Sequence, residues 1–173
     1  MHSEYLSEHP YFKARRDRYR LSSGKIVDPY FVVELPPSAA AMAITMNNEI
    51  IFVEQYRHPV GKTLVELPGG FIDEGEDPRI AIRRELLEET GYSFDDIQPL
   101  GITAANPGVL SNITHLFLAR GGRKVTGQSL DANEEIALKF VPVAEGKEML
   151  KNGLILQSMH ALCLYLGFDL LEK

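Results

Sequence analysis

The sequence predicts an α/β chain of the α+β kind: a mixed β-sheet sandwiched between helices, preceded by a small N-terminal β-strand region. Three observations carry this expectation. The predicted elements run strands, helix, strands, helix, an order that sets helices on the faces of one mixed sheet. The 173 residues fit one domain with a short appendage, and a chain of that size buries roughly 70% of its unfolded surface. Hydrophobic residues make up 45% and charged residues 24%, which excludes wholesale disorder and a collagen-like repeat.

The N-terminal region is taken as residues 1–37. Residues 11–25 (YFKARRDRYRLSSGK) are basic with interleaved aromatics. They read as a strand with a charged outer face and a turn at Ser22-Ser23-Gly24, with a dedicated anion patch as the alternative. Residues 26–35 read as a strand or hairpin, and Pro36-Pro37 marks the boundary to a second unit, residues 38–173. There, the apolar runs 39–46 and 50–56 flank Asn47-Asn48, a hairpin signal because asparagine tolerates a positive φ. A short strand is expected at 64–67, and further strands at 97–103, 112–119 and 135–142. A short helix from Ala144 and a longer one over about 156–170 close the chain.

The helix expected over 78–90 carries its own punctuation: Asp77 as N-cap, Pro78 at the first position and Gly91 as stop. Glu85, Glu88 and Glu89 share one face, because positions i, i+3 and i+4 do. Ile82 and Leu86 flank that face, while Ile80 and Leu87 form a second apolar stripe nearly opposite, so the helix is expected to pack on more than one neighbour. Three like charges repel, and they stand in the turns where the helix dipole disfavours anions. One compensation is an acidic face laced to Arg83, Arg84 and other cations. The other is a hard divalent cation, which takes carboxylate oxygens, waters and substrate phosphates. Glu85 and Glu89 lie one turn apart, about 6 Å along the axis, close enough to bracket a cluster of ions.

The spacing upstream decides between these. From Gly70 the order is Gly, five residues, Glu76, seven residues, then Arg84-Glu85-Leu86, Glu88-Glu89 and Gly91-Tyr92. This segment, GGFIDEGEDPRIAIRRELLEETGY, resembles the Nudix box; Tyr92 stands where an aliphatic residue is usual. The resemblance implies the Nudix fold and a loop–helix–loop that holds Mg²⁺ or Mn²⁺, two or three ions, under a diphosphate. It implies Glu85 and Glu89 as principal metal ligands, Glu88 as a further ligand or orienter with a catalytic part, and the Gly69 carbonyl as an additional ligand. Arg84 matches a structural residue paired with Glu76 or the ligand carboxylates, with substrate contact as the alternative.

Flanking segments narrow the branch. Glu54-Gln55-Tyr56-Arg57-His58-Pro59, Glu66-Leu67-Pro68-Gly69-Gly70, Asn106-Pro107-Gly108-Val109-Leu110-Ser111 and Asp131-Ala132-Asn133-Glu134-Glu135-Ile136 look like those of ADP-ribose pyrophosphatases. That likeness runs from about residue 24 to 143. It implies metal-assisted hydrolysis of a nucleoside diphosphate sugar, with ADP-ribose giving AMP and ribose 5-phosphate. Arg57, Glu66, Tyr30 and Leu110 are then substrate-binding candidates, Glu66 being equally a partner for Arg57. The catalytic carboxylate on the mobile loop is Glu134 first and Glu135 second. The branch also implies a homodimer through the N-terminal region, whose aromatics sandwich the base. This chain has no Trp, which leaves Tyr11, Phe12, Tyr19, Tyr30 or Phe31 for that role. The alternatives are another Nudix pyrophosphatase, acting on a nucleoside triphosphate or a dinucleotide, and a silent nucleotide-sugar sensor. The complete set of box carboxylates speaks against the sensor.

Composition bounds the partners. The formal charge is −6, unsuited to general nucleic-acid binding. The excess is local: residues 66–96 hold ten acidic and three basic residues, a charge of −7, and the other 15 basic and 14 acidic residues leave +1. Cys163 is the only cysteine, so no intrachain disulfide forms. No signal-peptide pattern and no membrane-length apolar run stand out. A cytoplasmic protein without nucleic-acid or membrane partners is expected. The five histidines show no metal-ligand spacing and read as surface or packing residues.

Overall fold

The computed structural model describes residues 2–9 and 12–173. Tyr11, one of the base-stacking candidates, lies outside the described residues. The N-terminal strands β1 (His2–His9), β2 (Phe12–Arg20) and β3 (Ile26–Glu34) form an antiparallel three-stranded sheet in sequence order. The turn between β2 and β3 closes with the Gly24 N–H donating to the Leu21 carbonyl at 2.9 Å. β1 was not foreseen: HSEYLSEH alternates too weakly in polarity to announce a strand, and its exposed pattern shows why.

The second sheet has eight strands, and its central path runs β11 (Ile136–Pro142), β5 (Glu49–Arg57), β4 (Ser38–Thr45), β10 (Thr114–Lys124), β8 (Tyr92–Ser93). Off that path, β6 (Lys62–Glu66) pairs with β5, β7 (Gly69–Phe71) with β4, and β9 (Asp96–Thr103) with β10. The sheet is mixed, because β4 and β10 are parallel while the other pairs are antiparallel. The hairpin between β4 and β5 turns at Asn48, whose φ is 60°. β7 and β8, at three and two residues, are too short to leave a periodic signal in the sequence.

The period-2 alternation of strands divides two cores. Met42 and Ile44 on β4, Ile50 and Phe52 on β5 and Leu116 and Leu118 on β10 face the C-terminal helices. These are α2 (Val143–Lys151) and α3 (Ser158–Leu171), and α3 contributes Cys163, Leu164 and Phe168 to that core. The intervening Ala39, Ala41 and Ala43, with Ile51, Phe117 and Ala119, face the opposite side. There α1 (Pro78–Thr90) brings Ala81, Ile82 and Leu86. The sheet is therefore sandwiched between helices, as its apolar runs predict. Cys163 is fully buried, its thiol 3.4 Å from the Phe117 carbonyl and pushed up to about 12 by burial. Among the described residues no helix is long and apolar enough to cross a membrane.

β3 is tied to the loop that follows β9. The Val33 N–H donates to the Val109 carbonyl at 2.8 Å, the Ser111 N–H donates to the Val33 carbonyl at 3.1 Å, and Val33 bridges Leu110 in parallel. The N-terminal sheet thus braces the segment carrying Leu110.

Candidate active site

α1 begins and ends where its capping residues dictate. Asp77 Oδ1 accepts from the Arg79 N–H at 2.8 Å, Pro78 needs no donor partner in the first turn, and Gly91 sits at φ 73° with its N–H on the Leu87 carbonyl. The expectation of two packed apolar stripes fails. Ala81, Ile82 and Leu86 are buried, whereas Ile80 is 60% and Leu87 40% exposed. The helix has one sheet face to lie on, and Ile80 and Leu87 on the far side stay partly open to solvent.

The carboxylate face is enclosed by β7 instead. Glu89 is 6% exposed, and its Oε2 accepts the Gly69 N–H at 2.8 Å. Gly69 has φ 151°, and a Cβ there would fall 2.2 Å from the Ala39 carbonyl oxygen. Only glycine lets β7 lie this close to β4 while turning an amide onto Glu89. Burial pushes the Glu89 carboxyl up to about 8; the Gly69 N–H opposes that push, and the charges of Glu85 and Glu134 add to it. Glu85 is raised too, chiefly by burial, against the pull of Arg84.

Arg84 holds the charges together. It donates to Glu76 at 3.0 Å, Glu85 at 2.8 Å, Glu88 at 3.1 Å and the Phe71 carbonyl at 3.2 Å. This matches the structural role, pairing with Glu76 and the box carboxylates alike. Its guanidinium keeps the Glu76 carboxyl below the usual range, helped by the Asp73 N–H.

These residues fit a hard divalent cation by their chemistry. The donors are oxygens only, burial raises the pKa of two of the carboxylates, Glu85 and Glu89, and one Arg is shared among three acids. Among the described residues no three His, Cys, Asp or Glu side chains are already gathered at metal-holding distance. Arg84 engages Glu85 Oε1 and the Gly69 N–H engages Glu89 Oε2, so the other oxygen of each carboxylate is not taken up by these bonds.

The three carboxylates line a cleft of about 520 Å³ between α1, β7, the loops after β9 and β10, and the start of α3. Arg57, Leu110 and Glu134 line it too. Arg57 reaches it from the end of β5 with its guanidinium fixed from below: Nη2 donates to Glu66 Oε2 at 2.6 Å and Nε at 3.0 Å. Glu66 is 1% exposed, so of its two expected roles the structure displays the one as partner of Arg57. Nη1 of Arg57 has no partner among the described residues.

Two expected residues are not in this cleft. Tyr30 stands on β3, its hydroxyl donating to the Gly108 carbonyl at 2.6 Å and its ring meeting Tyr19 edge-on. Both loop glutamates are exposed, but Glu134 lines the cleft and Glu135 does not; Glu134 sits in a turn in which its N–H donates to the Asp131 carbonyl at 2.9 Å and its Oε2 accepts the Asp131 N–H at 3.2 Å. That loop is strapped to α1 by Gln128 Nε2 donating to the Glu89 carbonyl at 2.7 Å and by the Ser129 N–H on the Glu88 carbonyl at 2.8 Å.

Sequence reasoning missed the α3 side of the cleft. Gln157, Met159 and His160 line it together with Asn112 and Thr114. His160 is buried, and its Nδ1 accepts the Leu67 N–H at 3.0 Å. No local motif joins residues so distant in sequence.

Comparison with known proteins agrees with this geometry. A model described as NUDIX domain matches residues 34–158, and one described as Nucleoside diphosphate sugar hydrolase N-terminal domain matches residues 2–33. The Methanol dehydrogenase activator of Bacillus methanolicus is 39% identical over 128 residues, 73% of this chain and 69% of that protein. The ADP-ribose pyrophosphatase of Mycobacterium tuberculosis is 35% identical over 159 residues, 91% of this chain and 76% of that protein. A solved structure titled Crystal structure of ADP compounds hydrolase superposes with a TM-score of 0.85 at 20% identity, over 99% of this chain and 92% of that one, a likeness of fold.

Proposed function

The chain belongs to the Nudix hydrolase family, and from that premise we propose that it is a pyrophosphatase cleaving the diphosphate bond of a nucleoside diphosphate sugar, first of all ADP-ribose to AMP and ribose 5-phosphate. One observation carries the reading: the box carboxylates Glu85, Glu88 and Glu89 share a single cleft with Arg57 and Glu134. The match of residues 2–33 to the N-terminal module of nucleoside diphosphate sugar hydrolases supports the substrate class. Relatives named ADP-sugar pyrophosphatase and GDP-mannose pyrophosphatase support it as well.

In this reading Glu85, Glu89 and Glu88 hold two or three Mg²⁺ or Mn²⁺ ions, with the Gly69 carbonyl as a further ligand. Bound cations supply Lewis-acid neutralisation of the diphosphate charge. Arg57 aligns a phosphate through its guanidinium, prepositioned by Glu66. Glu134 takes the proton of the attacking water at its carboxylate, and Leu110 forms a wall beside the substrate. Most of the acceleration is positioning and charge stabilisation.

The N-terminal sheet serves as the contact of a homodimer, supported by the exposed Tyr5, Leu6, Phe12 and Phe31. Phe12 and Phe31 are then the open candidates for stacking on the base. A cytoplasmic location belongs to the same reading.

The deciding experiment incubates the purified chain and Mg²⁺ with ADP-ribose, ADP-glucose, GDP-mannose, UDP-glucose, NADH, diadenosine polyphosphates and dNTPs. Running the best substrate in ¹⁸O-water locates the attacked phosphorus. Turnover of ADP-ribose above the others is expected, and cleavage of dNTPs alone overturns the reading. Sedimentation equilibrium tests the dimer, and a monomer at assay concentration overturns that part.

A further inference from the structure

Among the described residues, the buried side-chain oxygens without a hydrogen-bond partner are Asn112 Oδ1 and Gln157 Oε1. The first lies on the loop before β10 and the second at the head of α3, and both residues line the same cleft. Buried acceptors are normally paired, so two orphans on one cleft wall call for an explanation.

Gln157 is anomalous a second way. It occupies the N-cap position of α3 with extended backbone, yet its side chain makes no capping bond. Ser, Thr, Asp or Asn is the residue that stabilises a helix there. The position thus gives up local stability and leaves its amide unengaged at the cleft.

His160, in the first turn of α3, adds a donor. Its Nδ1 accepts the Leu67 N–H, and burial, with Arg57 nearby, holds the ring neutral, its pKa lowered to about 3. The single ring proton is therefore on Nε2, which has no partner among the described residues.

The chemistry of the missing ligand follows from this inventory. A phosphate oxygen has only lone pairs and cannot satisfy an acceptor. An apolar group would leave both oxygens unpaired. A hydroxyl gives one hydrogen bond and takes another, and two adjacent hydroxyls use two acceptors and one donor. The amide oxygens are closed off from solvent while their residues line the cleft, so a ligand engages them by turning the amides into it.

We propose that Asn112, Gln157 and His160 form a diol-recognising subsite, in which the two amides accept from neighbouring hydroxyls of a ribose ring and His160 Nε2–H donates to one of them. This rests on the nucleoside diphosphate sugar reading and deepens it, making the three residues specificity determinants on the wall that α3 contributes. The diol belongs either to the nucleoside ribose or to the terminal sugar, and the test separates the two.

The kcat/KM of the wild-type chain is measured with Mg²⁺ for ADP-ribose, for its analogue lacking the 2-hydroxyl on the nucleoside ribose, and for its analogue lacking the 2-hydroxyl on the terminal ribose. The measurements are repeated with Gln157→Leu and Asn112→Leu, after thermal melting has checked their folding. The wild type is expected to lose about tenfold or more on one analogue, since each unmade hydrogen bond in a built site weakens binding by that order. The variants should lose a similar factor on ADP-ribose, mainly in KM, and almost nothing further on that same analogue. The analogue affected names the half of the substrate that sits there. Equal wild-type rates on all three substrates, or variants that keep the wild-type ratio, overturn the subsite while leaving the function standing. A wild-type chain that cleaves no nucleoside diphosphate sugar overturns the functional reading itself.

Discussion

The Glu85 carboxylate occupies the space a side chain on Gly70 would need. A Cβ built on Gly70 falls 2.6 Å from the Glu85 carboxyl carbon and from its Oε1. A methyl at Gly70 therefore strikes the Glu85 carboxylate itself and displaces it. Misplacement of a catalytic group by about 1 Å costs on the order of 10²-fold in rate. Gly70→Ala is expected to lower kcat by that order and to weaken Mn²⁺ binding, read by electron paramagnetic resonance, with the circular dichroism spectrum unchanged.

Glu89 pits stability against function. Its folded-state pKa of about 8 lies above the ordinary carboxyl value of 4.5. Stability is thus full below the unfolded value and is lost as pH rises from about 4.5 through about 8, where the folded state is forced to ionise. Glu89→Gln removes that cost. The variant should melt higher than wild type at pH 8 in EDTA, while its turnover falls by on the order of 10²-fold or more. Near-wild-type activity would sink the metal-ligand assignment.

Arg57 neutralises a carboxylate that is almost wholly enclosed. Removing one partner of a buried pair leaves an uncompensated charge. With Arg57 itself 41% exposed, Arg57→Met should cost about 2 kcal/mol in urea denaturation. It should also raise KM by roughly tenfold through loss of the proposed phosphate contact.

The two loop glutamates should part ways. Glu134 lines the cleft and Glu135 does not. A general base contributes typically about 10²–10⁴-fold, so Glu134→Gln is expected to lower kcat within that range, and Glu135→Gln to leave it near wild type. Steady-state kinetics at saturating Mg²⁺ decides; the reverse ranking would return Glu135 to the role.

His160 gives the fold an acid limit. Its pKa falls from 6.5 to about 3 on burial, so its contribution to stability is complete above about pH 6.5. It is lost as pH drops toward 3, by at most about 1.4 kcal/mol per pH unit. Urea midpoints taken between pH 7 and pH 5 should fall more steeply for wild type than for His160→Asn. The amide oxygen of that variant can still accept from Leu67 but takes up no proton.

Legibility in the sequence followed the range of the interactions. α1 was readable to its ends because Asp77, Pro78 and Gly91 act within one or two residues of where they stand. The sandwich was readable because β4, β5 and β10 are apolar on both faces. β7 was not, since a three-residue strand has no period, yet it brings Gly69 and Gly70 onto the box carboxylates. The exposed Ile80 and Leu87 misled because an apolar stripe states what a face could bury, whereas only the packed fold supplies a neighbour. The α3 wall of the cleft, with Gln157 and His160, arises from contacts between segments far apart in the chain, where no spacing rule reaches.

Cys163 has a use beyond packing. Its thiol is sealed beneath α3 and stays protonated at any pH at which the chain is folded and working. It should be inert to alkylating reagents and need no reductant in storage. Because it is the only cysteine, its reaction with a chromogenic disulfide becomes a single-site stopwatch for opening of the α3–sheet seam, timing an event that turnover assays never see.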